Sequence, residues 1–161
     1  MIGPAFAVAF DADGRRGLVS TSSAIVRSDG ESWRSMPVPA GAVPARALVR
    51  GSVAGRVYLA GWRGLYRSDD WGASWLSVAD GLPDEPVTAL VVAPGFSEVA
   101  YAVVGGRLWA SLDDTRPWVL RATPSGSVEA LTADPAEPTR LWIGAASQIH
   151  RSEDSGTRWE I

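Results

Sequence analysis

The stretch that decides the fold of this sequence is Tyr66-Arg67-Ser68-Asp69-Asp70-Trp71-Gly72-Ala73-Ser74-Trp75. Its core has the pattern Ser-x-Asp-x-Gly-x-x-Trp, and the pattern returns near the C-terminus as Ser152-Glu153-Asp154-Ser155-Gly156-Thr157-Arg158-Trp159. Two altered copies of the pattern occur elsewhere in the chain. The four copies end at Trp33, Trp75, Trp118 and Trp159, which are 42, 43 and 41 residues apart. A fixed period of this length indicates a repeat architecture.

The two altered copies depart from the pattern in different ways. The copy from Ser28 to Trp33 is two residues shorter, and the copy from Ser111 to Trp118 has Thr115 in place of the glycine. We therefore expect the turn geometry to differ in both. The residues assigned to the four turns are Ser28, Asp29, Gly30, Trp33, Ser68, Asp70, Gly72, Trp75, Ser111, Asp113, Trp118, Ser152, Asp154, Gly156 and Trp159.

The residue types of the motif predict a tight turn with a structural role. Ser and Asp side chains accept hydrogen bonds from nearby backbone N–H groups, and Gly72 and Gly156 can adopt a positive φ without steric cost. The Trp at the end of the motif can cover the turn. A Ca²⁺-binding loop would need more oxygen ligands and a Glu twelve positions along, which neither complete copy has.

Each repeat contains four short apolar segments bounded by Gly, Pro, Asp or Ser clusters, which is typical of strands joined by turns. The third repeat is the clearest, with strands predicted at Val87–Ala93, Glu98–Val104, Arg107–Ser111 and Trp118–Ala122. The first strand of each repeat is almost continuously apolar, which predicts that both of its faces are covered. We therefore predict an all-β fold, a β-propeller of four four-stranded antiparallel blades at about residues 5–36, 46–79, 87–122 and 127–161.

The composition excludes several classes of site. A net charge of −3 provides no basic surface for nucleic acid or for an anionic membrane. Because the 161 residues contain no Cys and only one His, His150, we expect no disulfide, no metal site, no cofactor and no Ser-His-Asp triad. No signal peptide or membrane span is evident, so the chain is expected to be cytoplasmic if complete and extracytoplasmic if cut from a longer secreted protein.

The motif and its surroundings resemble the Asp-box, or BNR, repeat. Supporting phrases are Gly81-Leu82-Pro83 ahead of Val87-Thr88-Ala89-Leu90, and Asp134-Pro135 ahead of Leu141-Trp142-Ile143-Gly144. The chain is thus similar to the propellers of sialidases, xyloglucanases, sortilin-like receptors and photosystem II assembly factors. This resemblance implies a propeller over essentially the whole chain, but the family includes both enzymes and binders.

The resemblance to sialidases does not extend to their catalytic residues. Those enzymes carry an Arg triad, a Tyr nucleophile with its Glu, and an acidic Asp over six blades. Here Arg27, Arg67 and Arg151 occupy equivalent positions in successive repeats, so the symmetry would spread them around a ring rather than bring them to one carboxylate. We interpret them as exposed or salt-bridged blade residues.

A candidate binding surface lies at the end of the blades opposite the motif turns. The start of the first strand of each repeat places Phe6, Arg46, Thr88 and Glu129 at that end, and the loop between strands two and three of the second repeat adds Trp62 and Arg63. The candidate ligand-binding residues are Arg46, Trp62, Arg63, Thr88 and Glu129, with Trp62 as a stacking surface for a glycan or a peptide. We predict a non-catalytic binding or assembly module.

Two alternatives remain from the sequence. The first is a glycosidase, which would need two carboxylates about 5–9.5 Å apart; Glu129 with Asp84 or Glu85 is the candidate pair. The second is a purely structural repeat unit. The four blades follow one another without strand exchange, so the chain could close as a small ring, pair with a second chain as an eight-bladed ring, or form one arc of a longer protein.

Overall fold

The structure, a computed structural model, describes residues 5–93, 98–113 and 117–161. Its described residues form fifteen of the sixteen strands predicted from the alternation of short apolar segments and turns, and no helix. Thr115, the residue that replaces glycine in the third motif copy, lies outside the described residues. The chain divides into two compact units, Met1–Ala79 and Asp80–Ile161.

The first unit contains two four-stranded sheets, each with its strands in sequence order and antiparallel to their neighbours. The first sheet consists of β1 (Ala7–Phe10), β2 (Gly17–Ser20), β3 (Ile25–Ser28) and β4 (Trp33–Met36). The second consists of β5 (Ala47–Arg50), β6 (Val57–Ala60), β7 (Leu65–Ser68) and β8 (Leu76–Ser77).

The second unit repeats this arrangement with a shorter final strand. The third sheet consists of β9 (Val87–Ala93), β10 (Val99–Val104), β11 (Arg107–Ser111) and β12 (Val119–Leu120). The fourth consists of β13 (Val128–Ala133), β14 (Leu141–Ala145) and β15 (Gln148–Ser152). Where a fourth strand is predicted from Arg158 onward, a single bridge joins Arg151 to Glu160.

Within each unit the two sheets pack face to face around a hydrophobic core. The first unit buries Leu18 and Ile25 of the first sheet together with Leu48 and Leu59 of the second. The second unit buries residues of the third sheet with residues of the fourth in the same way, among them Tyr101, Leu108, Leu141, Val103 and Ile143. Burial of this apolar surface is the main force that holds each pair of sheets together.

The prediction that the first strand of every repeat is covered on both faces is wrong for the first and last sheets. In β9 only Thr88 is exposed. In contrast, Val8 and Phe10 of β1 are more than half exposed, and Ala130 and Thr132 of β13 are exposed. An apolar sequence shows that a strand face can be buried, but burial itself depends on a neighbouring sheet. The consequences of the two exposed faces are developed below.

Candidate functional site

The second copy of the motif forms a compact turn between β7 and β8. The Ser68 hydroxyl accepts the N–H of Gly72 at 2.7 Å and donates to the Asp70 carboxylate at 2.7 Å. Asp70 in turn accepts the N–H of Ser74 at 2.8 Å and its hydroxyl at 2.6 Å. Trp71 and Gly72 have φ values of 56° and 83°, so two successive residues lie in the left-handed region.

The fourth copy reproduces these contacts almost atom for atom. Ser152 Oγ accepts the N–H of Gly156 at 2.9 Å and donates to Asp154 at 3.0 Å. Asp154 accepts the N–H groups of Thr157 and Arg158. Ser155 and Gly156 again have positive φ values, 59° and 80°. The hydrogen bonds predicted from the motif are therefore present in both complete copies.

The altered first copy has a different turn, as predicted. Here the Ser28 hydroxyl accepts the N–H of Gly30 at 3.0 Å, and the Asp29 carboxylate accepts the N–H groups of Glu31 and Ser32 at 3.1 and 2.9 Å. Trp33 at the end of this copy is about half exposed. The motif tryptophans thus do not share one environment, because Trp118 is buried while Trp75 and Trp159 are partly buried.

The hydrogen bonds of the motif hold its carboxylates in the ionised form. Partial burial opposes ionisation of Asp70, but hydrogen bonds from the Ser74 hydroxyl and N–H, and from Ser68 and Ala73, outweigh it and lower its pKa from 3.8 to about 2. The pKa of Asp154 is also lowered, first by the N–H of Arg158.

We expect acid to weaken the fold through these carboxylates. A pKa that is lower in the folded chain contributes stability that is present above the unfolded value, near 3.8 for Asp70, and is lost as the pH falls toward about 2. The urea midpoint should therefore drop between pH 5 and pH 2.5, and it should drop less in Asp70→Asn than in the wild type. Asp84→Asn, which removes one exposed negative charge, is the matched control; an equal acid response in all three proteins would contradict the prediction.

The candidate binding residues of the first unit come together at one end of the second sheet. Ala47 pairs with Ala60, which pairs with Leu65, so Arg46 and the β6–β7 turn lie at the same end. The motif turn begins at Ser68, whose partner Val57 lies at the other end. At the first end, the guanidinium of Arg46 lies over the ring of Trp62, 4.9 Å from its centroid.

The turn that carries Trp62 and Arg63 is fixed by backbone contacts. The N–H of Gly61 donates to the carbonyl of Gly64, and the N–H of Arg63 donates to the carbonyl of Gly41 at 3.2 Å. A Cβ at Gly61 would lie 2.8 Å from the Cα of Ala42, so only glycine permits this close approach. Trp62, with about half of its side chain exposed, is therefore presented from a well-held turn.

The candidate residues of the second unit lie at β-bulges that the sequence does not reveal. The pairing of β9 with β10 shifts register at Thr88, and that of β13 with β14 shifts at Glu129, so both residues fall at irregular points of the first strand. Bulges redirect side chains and are common beside functional sites. Thr88 donates its hydroxyl to the carbonyl of Val103 at 3.3 Å, and Glu129 is exposed.

The three equivalent arginines of the repeats each have a partner in the structure. Arg27 donates to the carbonyl of Trp71, Arg67 pairs with Asp69, and Arg151 pairs with Glu153. His150 is buried in β15. Over residues 5–93, 98–113 and 117–161, no group of three or more His, Cys, Asp or Glu side chains is arranged to hold a metal ion. The same residues include no helix long and apolar enough to cross a membrane.

One concave region of the first unit was missed from the sequence. A cavity of about 250 Å³ is lined by Asp11, Arg16, Arg50, Trp71 and the β5–β6 loop. Arg16 pairs with Asp11 at 2.7 Å and lies 5.9 Å from the Trp71 ring centroid. Its lining comes from separate repeats, so no local pattern could have indicated it.

Comparison with known proteins establishes the fold. No protein-family model and no curated protein matches the sequence. The structure is similar to an ancestral GH74 enzyme (TM-score 0.76, 14% identity, 98% of this chain and 24% of that one). It is also similar to the GH74 xyloglucanase from Xanthomonas campestris (TM-score 0.74, 23% identity, 95% of this chain and 29% of that one). A third similar structure is YCF48 bound to D1 peptide (TM-score 0.70, 19% identity, 98% of this chain and 52% of that one).

These similarities confirm that the sheets are β-propeller blades. The chain spans about a quarter of the length of the two GH74 proteins and about half of YCF48. At these identities the likeness concerns the fold alone.

Proposed function

We propose that this chain is a non-catalytic binding or assembly module on a propeller scaffold with Asp-box turns, and that it binds a ligand at the blade end opposite those turns. The observation that carries the proposal is the stacked pair of Arg46 and Trp62 on a turn fixed by backbone contacts. An exposed tryptophan is costly to leave in water and is enriched in binding surfaces. Arg63, the next residue, adds a second cation.

The chemistry of this pair favours a peptide with an acidic side chain. A guanidinium held over an aromatic ring keeps its edge N–H groups available in a fixed plane, which suits bidentate contact with a carboxylate. The Trp62 ring offers apolar contact beside it. Among propellers of similar fold, YCF48 is seen bound to a peptide, which supports the same class of ligand here. A glycan that stacks on Trp62 is the second ligand class to be tested.

The glycosidase alternative is favoured by the similarity of the fold to GH74 enzymes. A glycosidase needs a general acid whose pKa is raised. Among the described carboxyl groups whose pKa is shifted, every shift is downward: Asp11, Asp29, Asp70, Asp134, Glu153 and Asp154. Each of these six carboxylates accepts hydrogen bonds in a turn or belongs to an ion pair, so none of them is a candidate for the general acid.

The test is a binding screen followed by paired substitutions. An array of acidic, neutral and basic peptides, and of neutral and acidic oligosaccharides, identifies the ligand class. For any ligand found, Arg46→Ala and Trp62→Ala should each weaken binding about tenfold or more, in line with a desolvated cation–aromatic contact. Thr88→Ala and Glu129→Gln test whether the second unit contributes.

The matched controls are Trp33→Ala and Arg34→Ala, which remove an exposed aromatic and a cation from the other end of the first sheet. Equal affinity of Arg46→Ala, Trp62→Ala and the wild type would overturn the proposed site. Release of reducing sugar from xyloglucan, abolished by Glu129→Gln, would establish the glycosidase instead.

A further inference from the structure

The first sheet has an apolar face that is exposed to solvent. Phe6, Val8 and Phe10 of the β1 segment and Trp33 of β4 are each about half exposed. Phe10 and Trp33 lie on one face, because a Cβ at Gly17 would meet the ring of Phe10 at 3.2 Å and that of Trp33 at 3.4 Å. Phe6 and Val8 share the face of Phe10, because alternate residues of a strand point to the same side. The opposite face of the same sheet carries Leu18 and Ile25 and is packed against the second sheet. We call the exposed side the leading face.

The fourth sheet is exposed on the side that is equivalent to the packed side of the first sheet. Ile149 lies beside Gly144 and Ala130 across the three strands. Arg151, two residues further on, lies beside Trp142 and Thr132 in the same way. These two rows therefore lie on one side of the sheet. Its opposite side carries Leu141 and Ile143 and is packed against the third sheet. We call the exposed side, centred on Ile149, the trailing face.

The repeat shows that both exposed positions are normally buried. Ile149 lies three residues before its motif serine, and the equivalent residues Ile25, Leu65 and Leu108 are all 0% exposed, whereas Ile149 is 71% exposed. On the leading side, Val8 is 53% exposed, whereas its equivalents Leu48 and Leu90 are 7% and 6% exposed. The sequence at both faces is therefore that of a buried junction.

The junctions inside the two units show what covers such faces. The same two names are used below for the equivalent sides of the other sheets. In the first unit, the trailing face of the first sheet (Leu18, Ile25) packs on the leading face of the second (Leu48, Leu59). In the second unit, the trailing face of the third sheet, with Leu108, packs on the leading side of the fourth, with Leu131. A trailing face thus takes a leading face, and the two exposed faces are the two halves of one such junction.

We propose that a second copy of this chain covers both faces: the trailing face of each copy packs on the leading face of the other, and the two copies form an eight-bladed ring. Each copy carries one face of each kind, so two identical junctions satisfy all four faces with two-fold symmetry. Eight blades lie within the usual range of propellers. The inference is independent of the ligand site proposed above.

The first test is the mass of the 161-residue chain in solution, measured by light scattering during size-exclusion chromatography. We expect a dimer of twice the 17.0 kDa chain mass at micromolar concentration. A folded wild-type monomer would overturn the proposal. The two faces would then meet within one chain or be covered by further blades of a longer protein.

Substitutions distinguish this junction from any other mode of pairing. Val8→Asp and Ile149→Asp each bury an unpaired charge in both junctions of a homodimer, so each should raise the dissociation constant about a hundredfold or more. Both positions are exposed within a single copy, so circular dichroism and thermal unfolding should show folded monomers. Leu76→Asp, at an equally exposed apolar residue of β8, is the control and should remain dimeric.

Mixing the two variants provides the decisive readout. A mixed pair has one junction with both charged faces and one junction with two unaltered faces, so mixing Val8→Asp with Ile149→Asp should restore association that neither variant shows alone. Association through two like faces predicts no such rescue. Failure of the mixture to associate, or an effect of only one of the two substitutions, would overturn the proposed pairing.

Discussion

Replacing Trp71 by alanine is expected to lower the free energy of unfolding by about 3–5 kcal/mol, the usual cost of truncating a large buried aromatic side chain. Trp71 is 1% exposed and belongs to the core of the first unit with Leu18 and Ile25. Its backbone N–H donates to the carbonyl of Gly55 at 2.8 Å, a bond that alanine would keep. The loss should therefore come from the side chain and leave the turn in place.

Chemical denaturation at neutral pH measures this difference, and Trp62→Ala is the matched control. Trp62 is about half exposed on the β6–β7 turn, so its removal should cost less than about 1 kcal/mol. Similar losses in the two variants would show that Trp71 is not a core residue. Because stability also depends on any self-association, both variants should be compared at one protein concentration.

Gly81→Ala is expected to destabilise the second unit by about 2–5 kcal/mol, from two causes that add. Gly81 has φ = 88°, where a Cβ costs about 1–2 kcal/mol. The added Cβ would also lie 2.5 Å from the carbonyl oxygen of Trp118 and 3.1 Å from its nitrogen, and a backbone neighbour cannot move aside as a flexible side chain can. The backbone carbonyl of the adjacent Asp80 accepts the Trp118 N–H at 2.9 Å, so a hydrogen bond holds these two segments close together.

Gly14→Ala separates the two causes. Gly14 has a similar φ of 71°, but a Cβ there would meet nothing within 4 Å. It should therefore show the conformational cost alone, about 1–2 kcal/mol. The difference between the two variants in urea unfolding measures the cost of the collision, and equal losses would show that the chain near Trp118 gives way without penalty.

The sequence predicts the strands well because their signals are local. Apolar segments bounded by turn residues define β9, β11, β13 and β15 at the boundaries that the structure has. The placement of Arg46 and Trp62 at one end of the second sheet also follows from the order of strands, because the start of one strand and the turn between the next two lie at the same sheet end.

The features that the sequence could not predict depend on partners that no local pattern records. Trp71 occupies a variable position of the motif, filled by Ser155 in the last copy, and its burial follows from packing against the neighbouring sheet. The bulges at Thr88 and Glu129 arise from the pairing of two strands. Ile25 and Ile149 are the same residue type at the same repeat position, and only the presence of a neighbouring sheet makes one buried and the other exposed.

The separation of the leading and trailing faces along the chain has a consequence for synthesis. Val8 leaves the ribosome first, and Ile149 follows about 140 residues later. At roughly 5–20 residues per second, the exposed trailing face of the fourth sheet is completed on the order of ten seconds after the leading face of the first sheet. In the proposed pairing, Phe6, Val8 and Phe10 stay uncovered during that interval until a finished copy packs on them, while the first two sheets can already have formed their shared core. Translation from one messenger by several ribosomes would place such a copy close at hand.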